Sequence, residues 1–388
     1  MPLQIAPDAP ARIQWTEADA AHSARWRSES GMPAPRKVVL ADDTMTADTA
    51  YRLACEGTAL LWRGDFQNAR QLLQALARRA DHKGGKGKRA KAPKVPATPA
   101  EAFHLHRQAQ SQRARTLAML LIPFDADYTI PLRRAPEVQL ACNEAYGRPD
   151  EPFVASLREL LGVIGAHEWR KNGVDIPAID GRIHPHYGVF SPIRGEYVAL
   201  VADAPLPDGA TLAFDIGTGT GVLAALLAKR GLRRVIATDV DQRALSCARE
   251  NLLRLGVDDK VELLQADLFP MGRAMLVVCN PPWLPGRPSS ALEYAIYDPE
   301  SRMLKGFLAG LAEHLAPAGE GWLILSDLAE HLGLRPRAQL IDWIDAAGLQ
   351  VVARHDVRPT HPRASDASDP LHAARAAELT SLWRLSAR

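Results

Sequence analysis

Only four cysteines occur in this chain of 388 residues, and Cys55, Cys142, Cys247 and Cys279 stand far apart. No two have the spacing of a metal-ligand pair, so packing roles in a reducing compartment are expected rather than a disulfide framework or a structural metal. Nowhere does an uncharged apolar run approach the ~20 residues that span a bilayer. The first twenty residues lack the basic-then-apolar order of a secretory signal, so a soluble, cytoplasmic protein without a membrane role is expected. Neither sign of charge dominates: 47 Lys and Arg against 45 Asp and Glu give a formal +2, which calls for no polyanionic partner by itself. No internal repeat is visible.

What is present is the ordinary stuff of a globular core, 47% apolar and 24% charged, at a length that suits two domains. The cations are unevenly spread. Arg78, Arg79, Lys83, Lys86, Lys88, Arg89, Lys91 and Lys94 crowd a stretch also rich in Gly, Pro and Ala, where Asp81 is the only acid. Residues 78–100 therefore read as a basic flexible linker. Before it, residues 1–77 read as a helical region, clearest at Asp65–Arg79, where Phe66, Leu72, Leu73 and Leu76 recur at helical intervals. After it, residues 101–185 read as an accessory region packed with 1–77. It opens with a helix over Pro99–Leu121 and holds short strands in its less regular stretches.

From about residue 195 the pattern becomes regular. GEYVALVADA reads as a helix. Apolar runs then alternate with amphipathic segments: TLAFDIG and VLAALLAKR, RVIATDV and ALSCARENLLRLG, VELLQAD, AMLVVCN, MLKGFLAGLAEHLA and WLILSD. Such alternation predicts a parallel sheet covered on both faces. AQLIDWIDAAG then precedes LQVVARHDV and LTSLWRLSA, two strand candidates that would close the sheet as an antiparallel pair. The expected class is α/β, a doubly wound, mostly parallel seven-stranded sheet over residues 186–388, with an N-terminal accessory domain.

Four turns of this region carry chemistry. Asp215, Gly217, Thr218, Gly219 and Gly221 form an acid followed by G-x-G-x-G between a strand and a helix. Glycines there permit a tight turn and close approach of a ligand to the helix N-terminus. The dinucleotide fingerprint would need a third glycine where Val222 stands. Asp239 ends the next strand and can accept both hydroxyls of a ribose, unless it caps the following helix, for which Asp241 is the better candidate. Asp267 and Leu268 follow the third strand, placed either to take an adenine edge or simply to make a solvated turn. Asn280, Pro281, Pro282 and Trp283 follow the fourth. Two successive prolines stiffen that turn and hold its carbonyls in fixed directions.

Residues 195–388 resemble the class I methyltransferases with the N-P-P-aromatic signature. That group includes adenine-N6 DNA methyltransferases, RNA adenine and guanine amino methyltransferases, and release-factor glutamine methyltransferases. The resemblance implies S-adenosylmethionine as cofactor and methyl transfer to a planar amino nitrogen. Gly217, Gly219 and Gly221 would wrap the methionine part, Asp239 would hold the ribose, Asp267 with Leu268 would flank the adenine, and Asp215, Thr218 and Asn280 would also belong to the cofactor site. The Asn280 side-chain oxygen and the Pro281 carbonyl would accept the two hydrogens of the target amine, and Trp283 would stack on its plane. Gly188–Glu196 is similar to the stretch preceding this domain in the glutamine enzymes, but it has Pro192-Ile193-Arg194-Gly195-Glu196 where they carry P-R-P-E-T-E. The expected acceptor is therefore the exocyclic amine of a nucleobase, in RNA before DNA, with a protein glutamine as the alternative. A nicotinamide oxidoreductase is the competing reading from another class. His184 and His186, two apart on an irregular segment, are assigned neither a metal nor a base role. The remaining tryptophans are read as core or boundary residues.

Overall fold

The computed structural model describes residues 11–81, 96–148, 150–193, 195–288, 291–360 and 366–388. The chain divides into two compact units, Met1–Val95 with His106–Glu168, and Pro96–Leu105 with Trp169–Arg388.

The first unit is a mixed sheet. Its strands are β1 (Arg12–Glu17), β2 (Ala20–Arg27), β3 (Lys37–Ala41), β4 (Thr58–Trp62), β5 (Leu120–Phe124) and β6 (Phe153–Ser156), in the order β1-β2-β6-β5-β4-β3. Helices α1 (Ala47–Cys55) and α2 (Phe66–Asp81) lie between the parallel strands β3, β4 and β5 and α4 (Gln139–Tyr146) precedes β6, while α3 (Pro99–Leu117) is divided, its residues up to Leu105 belonging to the second unit. This corrects the helical reading of residues 1–77, which hold four strands. TALLW of β4 is buried at every position, so it shows no alternation to mark it as a strand. The β1–β2 hairpin turns on Ala18 and Asp19, both with positive φ, where a sequence signal would ask for glycine or asparagine.

Other boundaries shift as well. Arg78 and Arg79 belong to α2, Pro99 opens α3, and residues 82–95 of the expected linker lie outside the described residues. The helix expected over Pro99–Leu121 stops at Leu117, because Leu120 already belongs to β5. The region read as 101–185 is also divided: His106–Glu168 belongs with the first unit and Trp169 onward with the second. Helix α5 (Leu157–Asn172) runs through that division. The second unit thus gains the hairpin of β7 (Val174–Ile176) and β8 (Gly181–Ile183), ahead of the expected start at 186.

The second unit is the expected doubly wound sheet. Strands β9 (Leu212–Ile216), β10 (Arg234–Asp239), β11 (Val261–Gln265), β12 (Ala274–Cys279), β13 (Leu315–Ser326), β14 (Leu349–Val357) and β15 (Thr380–Ala387) lie in the order β11-β10-β9-β12-β13-β15-β14. All neighbours are parallel except β15, which runs against both β13 and β14. Successive side chains point to opposite faces, and each face has its own core. Ala213, Leu276, Val278, Trp322 and Ile324 join one cluster with α6 (Glu196–Asp203) and α7 (Val222–Lys229). Phe214, Val277, Cys279, Leu323 and Leu325 join the other with α9 (Arg302–His314) and α11 (Arg337–Ala346). Helix α8 (Gln242–Arg254) follows β10, α10 (Leu328–His331) follows β13, and α12 (His372–Ala377) precedes β15. Among the described residues, no helix is long and apolar enough to cross a membrane. Trp62 and Trp322 are buried as expected, whereas Trp169 is half-exposed.

Candidate active site

Register places the four predicted turns along one edge of the sheet. Thr238 and Cys279 both pair with Ile216, and Asp239 pairs with Gln265. One residue further on, Gly217, Asp239 and Asn280 leave the sheet together, with Ala266 beside them. Edges of this kind, beyond the carboxyl ends of parallel strands, are where open α/β sheets bind ligands.

The glycine turn is built from inside. Asp215 is buried, and its Oδ2 accepts the Thr218 hydroxyl at 2.6 Å and the Ala224 N–H at 3.1 Å. Burial raises the Asp215 carboxyl to about 6 despite those bonds. Asp215 thus braces the loop from within the core. Gly217, Gly219 and Gly221 all have positive φ, at 73°, 55° and 80°. A Cβ on Gly221 would stand 3.1 Å from the Ala248 Cβ on α8, whereas one on Gly219 would meet nothing within 4 Å. The loop therefore packs tightly at one glycine and is open at another. The N–H groups of Gly217 and Thr218 donate to the Thr238 carbonyl, tying the loop to β10.

Asp239 faces this loop. Its Oδ2 accepts the Gly219 N–H at 3.0 Å and its Oδ1 the Asp241 N–H at 2.9 Å. Burial raises its carboxyl above the ordinary range. Asp241 is the helix cap, accepting the Arg243 N–H at the start of α8, which leaves Asp239 without that duty. Asp267 is exposed and ion-paired with Arg302 at 2.8 Å. Leu268 next to it has φ of 74°, and its carbonyl accepts the Thr238 hydroxyl at 2.5 Å.

At the fourth turn, Pro281 is buried, while Asn280, Pro282 and Trp283 are partly so. The Trp283 Nε1–H donates to the Asn280 Oδ1 at 2.9 Å, which fixes the amide against the indole edge. Trp283 also packs against both core clusters. This bond is absent from the sequence reading, which gave Trp283 only a stacking role.

Other residues escaped the sequence reading altogether. Arg335, 3% exposed, donates to the Trp283 carbonyl at 3.3 Å and the Ser301 hydroxyl at 3.5 Å. Burial holds its guanidinium below the usual arginine range. Asp298 caps α9 through the Met303 and Leu304 N–H groups, and the Met303 Cε lies 2.6 Å from where a Gly217 Cβ would stand. Glu300 and Ser301 between them have φ of 57° and 54°, a strained pair beside the site. Asn251 is fully buried and ties the glycine loop to the HPHYG segment: its Nδ2 donates to the Thr220 carbonyl, and its Oδ1 accepts the His184 N–H. Only Asp298 and Asn251 carried any local hint, as polar residues at the mouth of a helix and on an apolar helix face. His186 pairs with Glu250 at 3.0 Å beside Arg170, and His184 Nδ1 contacts the Arg170 carbonyl, so both histidines tie structure together.

Residues 180–333 match the methyltransferase small domain family. Over 165 residues the chain is 36% identical to a release factor glutamine methyltransferase of Cereibacter sphaeroides, covering 41% of this chain and 55% of that protein. It is 29% identical to a tRNA1(Val) (adenine(37)-N6)-methyltransferase of Shewanella loihica, over 34% of this chain and 59% of that one. It is 46% identical to a ribosomal protein L11 methyltransferase of Pelotomaculum thermopropionicum, over 37% and 39%. The chain thus spans between about two fifths and three fifths of the length of these relatives. The matched residues fall in the second unit, whose strand order and glycine and N-P-P-W turns are similar to those of the class I methyltransferases.

Proposed function

We propose that the protein is an S-adenosylmethionine-dependent N-methyltransferase whose acceptor is the exocyclic amine of a nucleobase, in RNA before DNA. The observation that carries this reading is the Asn280–Trp283 turn, stiffened by two prolines and level with Gly217 on the next strand.

The residues present suit the cofactor. The open space above Gly219 admits a ligand against the backbone, and the tight fit at Gly221 explains why that position is not free to widen. Each Asp239 oxygen accepts one backbone bond and retains a second lone pair for a ribose hydroxyl. Asp267 and Leu268 stand beside them for the adenine. When bound, S-adenosylmethionine supplies a methyl group already activated by its sulfonium.

The chain's own task is then the acceptor. An exocyclic amine is a weak nucleophile because its lone pair is delocalised into the ring. The Asn280 Oδ1 has one lone pair engaged by Trp283 and another for an amine hydrogen, and the Pro281 carbonyl takes the second hydrogen. Two acceptors on its hydrogens favour a pyramidal nitrogen and direct the lone pair toward the methyl group. Positive charge grows on that nitrogen, so fixed carbonyl dipoles stabilise the transition state more than the ground state. Water then receives one of the two held protons. Alignment by the stiff turn supplies much of the remaining rate.

The relative from S. loihica, named for an adenine-N6 acceptor, supports the nucleobase. A protein glutamine is the second reading, favoured by the 36% identity to a release factor glutamine methyltransferase. The four cysteines are unpaired and three are buried, in keeping with a cytoplasmic setting. The test has two parts. S-adenosylmethionine and its homocysteine product should raise the melting temperature while NAD does not, and label from the methyl donor should pass to a nuclease-sensitive fraction of cell extract. Stabilisation by NAD alone overturns the reading, and label that only protease removes moves the acceptor to a protein, with labelled methylamine released on acid hydrolysis marking a glutamine amide.

A further inference from the structure

The acceptor turn is braced by a residue nearly two hundred positions upstream of it. Phe103, in the first turns of α3, is 4% exposed and belongs to the second unit. It packs in a cluster with Leu284, Leu328, Leu332 and Leu371, and its ring lies 6.4 Å from that of Tyr297. Leu284 directly follows Trp283 and is itself 7% exposed. Its N–H donates to the Ile296 carbonyl at 3.1 Å, and its carbonyl accepts the Asp298 N–H at 2.9 Å. Those bonds tie Leu284 to Ile296 and Asp298, and Ile296 and Tyr297 pack against the same cluster. Behind Trp283 the path is therefore short: Phe103 shares a cluster with Leu284 and lies against the ring of Tyr297, Tyr297 is bridged to Leu284, Leu284 follows Trp283 in the chain, and Trp283 reaches Asn280 by the indole N–H.

We propose that Phe103 is a positioning residue for methyl transfer, setting the direction of the Asn280 amide through Leu284 and Trp283. This rests on the N-methyltransferase reading above. It also means that Pro96–Leu105 completes the catalytic unit, although that segment lies outside the matched residues 180–333. Phe103 touches neither the glycine loop nor Asp239 among its packing partners, so its removal leaves cofactor binding alone. A small displacement of a reacting group costs rate far more than it costs binding.

The test compares full-length wild type, Phe103→Ala and Phe103→Leu. Three quantities are read: label transferred from S-adenosylmethionine to cell extract, cofactor affinity by calorimetry, and the Trp283 indole N–H resonance, assigned with Trp283→Phe. Phe103→Ala is expected to lower transfer by at least about tenfold, to leave cofactor affinity within about twofold, and to shift or broaden the indole resonance. Phe103→Leu should restore most of the transfer. Wild-type transfer with an unmoved resonance in Phe103→Ala overturns the proposal, as does an equal loss of cofactor affinity. Should Phe103→Ala fail to fold, Phe103→Val takes its place, and wild-type transfer with an unmoved indole resonance in that variant overturns the proposal. If wild type itself transfers nothing, the enzymatic reading falls; if it transfers and Phe103→Ala matches it, only the positioning role does.

Discussion

Among the described residues, the Asn280 side chain accepts a hydrogen bond from Trp283 of the same turn. Removing the donor while keeping an aromatic plane isolates its contribution. Trp283→Phe should lower kcat by roughly fivefold to tenfold, the worth of about 1 kcal/mol of orientation, with the KM for S-adenosylmethionine unchanged. Steady-state kinetics at saturating acceptor extract checks this, and a rise in KM alone would place Trp283 at the cofactor instead. Asp215 offers a second residue-scale test. Its carboxyl sits at about 6 in the folded chain, against about 3.9 when unfolded. A raised acid favours the folded state most when protonated, so its contribution is full below about pH 4 and is lost as pH rises to about 6. Both of its bonds fall on Oδ2, which an asparagine oxygen can replace. Asp215→Asn should therefore gain on wild type by up to about 3 kcal/mol between pH 4 and pH 7. Urea unfolding at the two pH values measures the difference, and a constant offset would contradict the assignment.

Among the elements, the glycine loop separates stability from binding. Gly219 and Gly221 are both left-handed, so an alanine at either costs roughly 1–2 kcal/mol of backbone strain. At Gly221 the new methyl also meets the Ala248 backbone on α8, which has no flexible end to move. At Gly219 it meets only open space. Gly221→Ala should thus lower the melting temperature more, and Gly219→Ala should weaken cofactor binding out of proportion to its stability loss. Calorimetry and thermal melting on both variants check the contrast; matched losses would argue against a ligand over Gly219. The same scale shows what the sequence made legible. Strands β9 to β13 were readable because short apolar runs alternate with amphipathic helices, and the acids and glycines fall where those runs end. Strands β1 to β4 were not. Their buried runs are short, and the Ala18–Asp19 turn lacks the residues that announce a hairpin. The positions of Arg335 and Phe103 depend on tertiary packing, which no local spacing records.

Across the whole molecule, the family match at residues 180–333 falls in the second unit, while the first is a mixed sheet with a core of its own around Ile13, Trp26, Leu61 and Leu121. Net charge is nearly balanced, so bulk electrostatics alone do not call for a polyanionic acceptor. In the proposed mechanism a rigid corner of the second unit presents oxygen acceptors to an amine beside the glycine loop. Its most direct test is Asn280→Ala in the full chain, assayed together for cofactor binding by calorimetry and for transfer of labelled methyl to cell extract. The account predicts S-adenosylmethionine affinity within about threefold of wild type and transfer reduced by at least about a hundredfold, the scale of losing one preorganised transition-state partner. Undiminished transfer by that variant would contradict it.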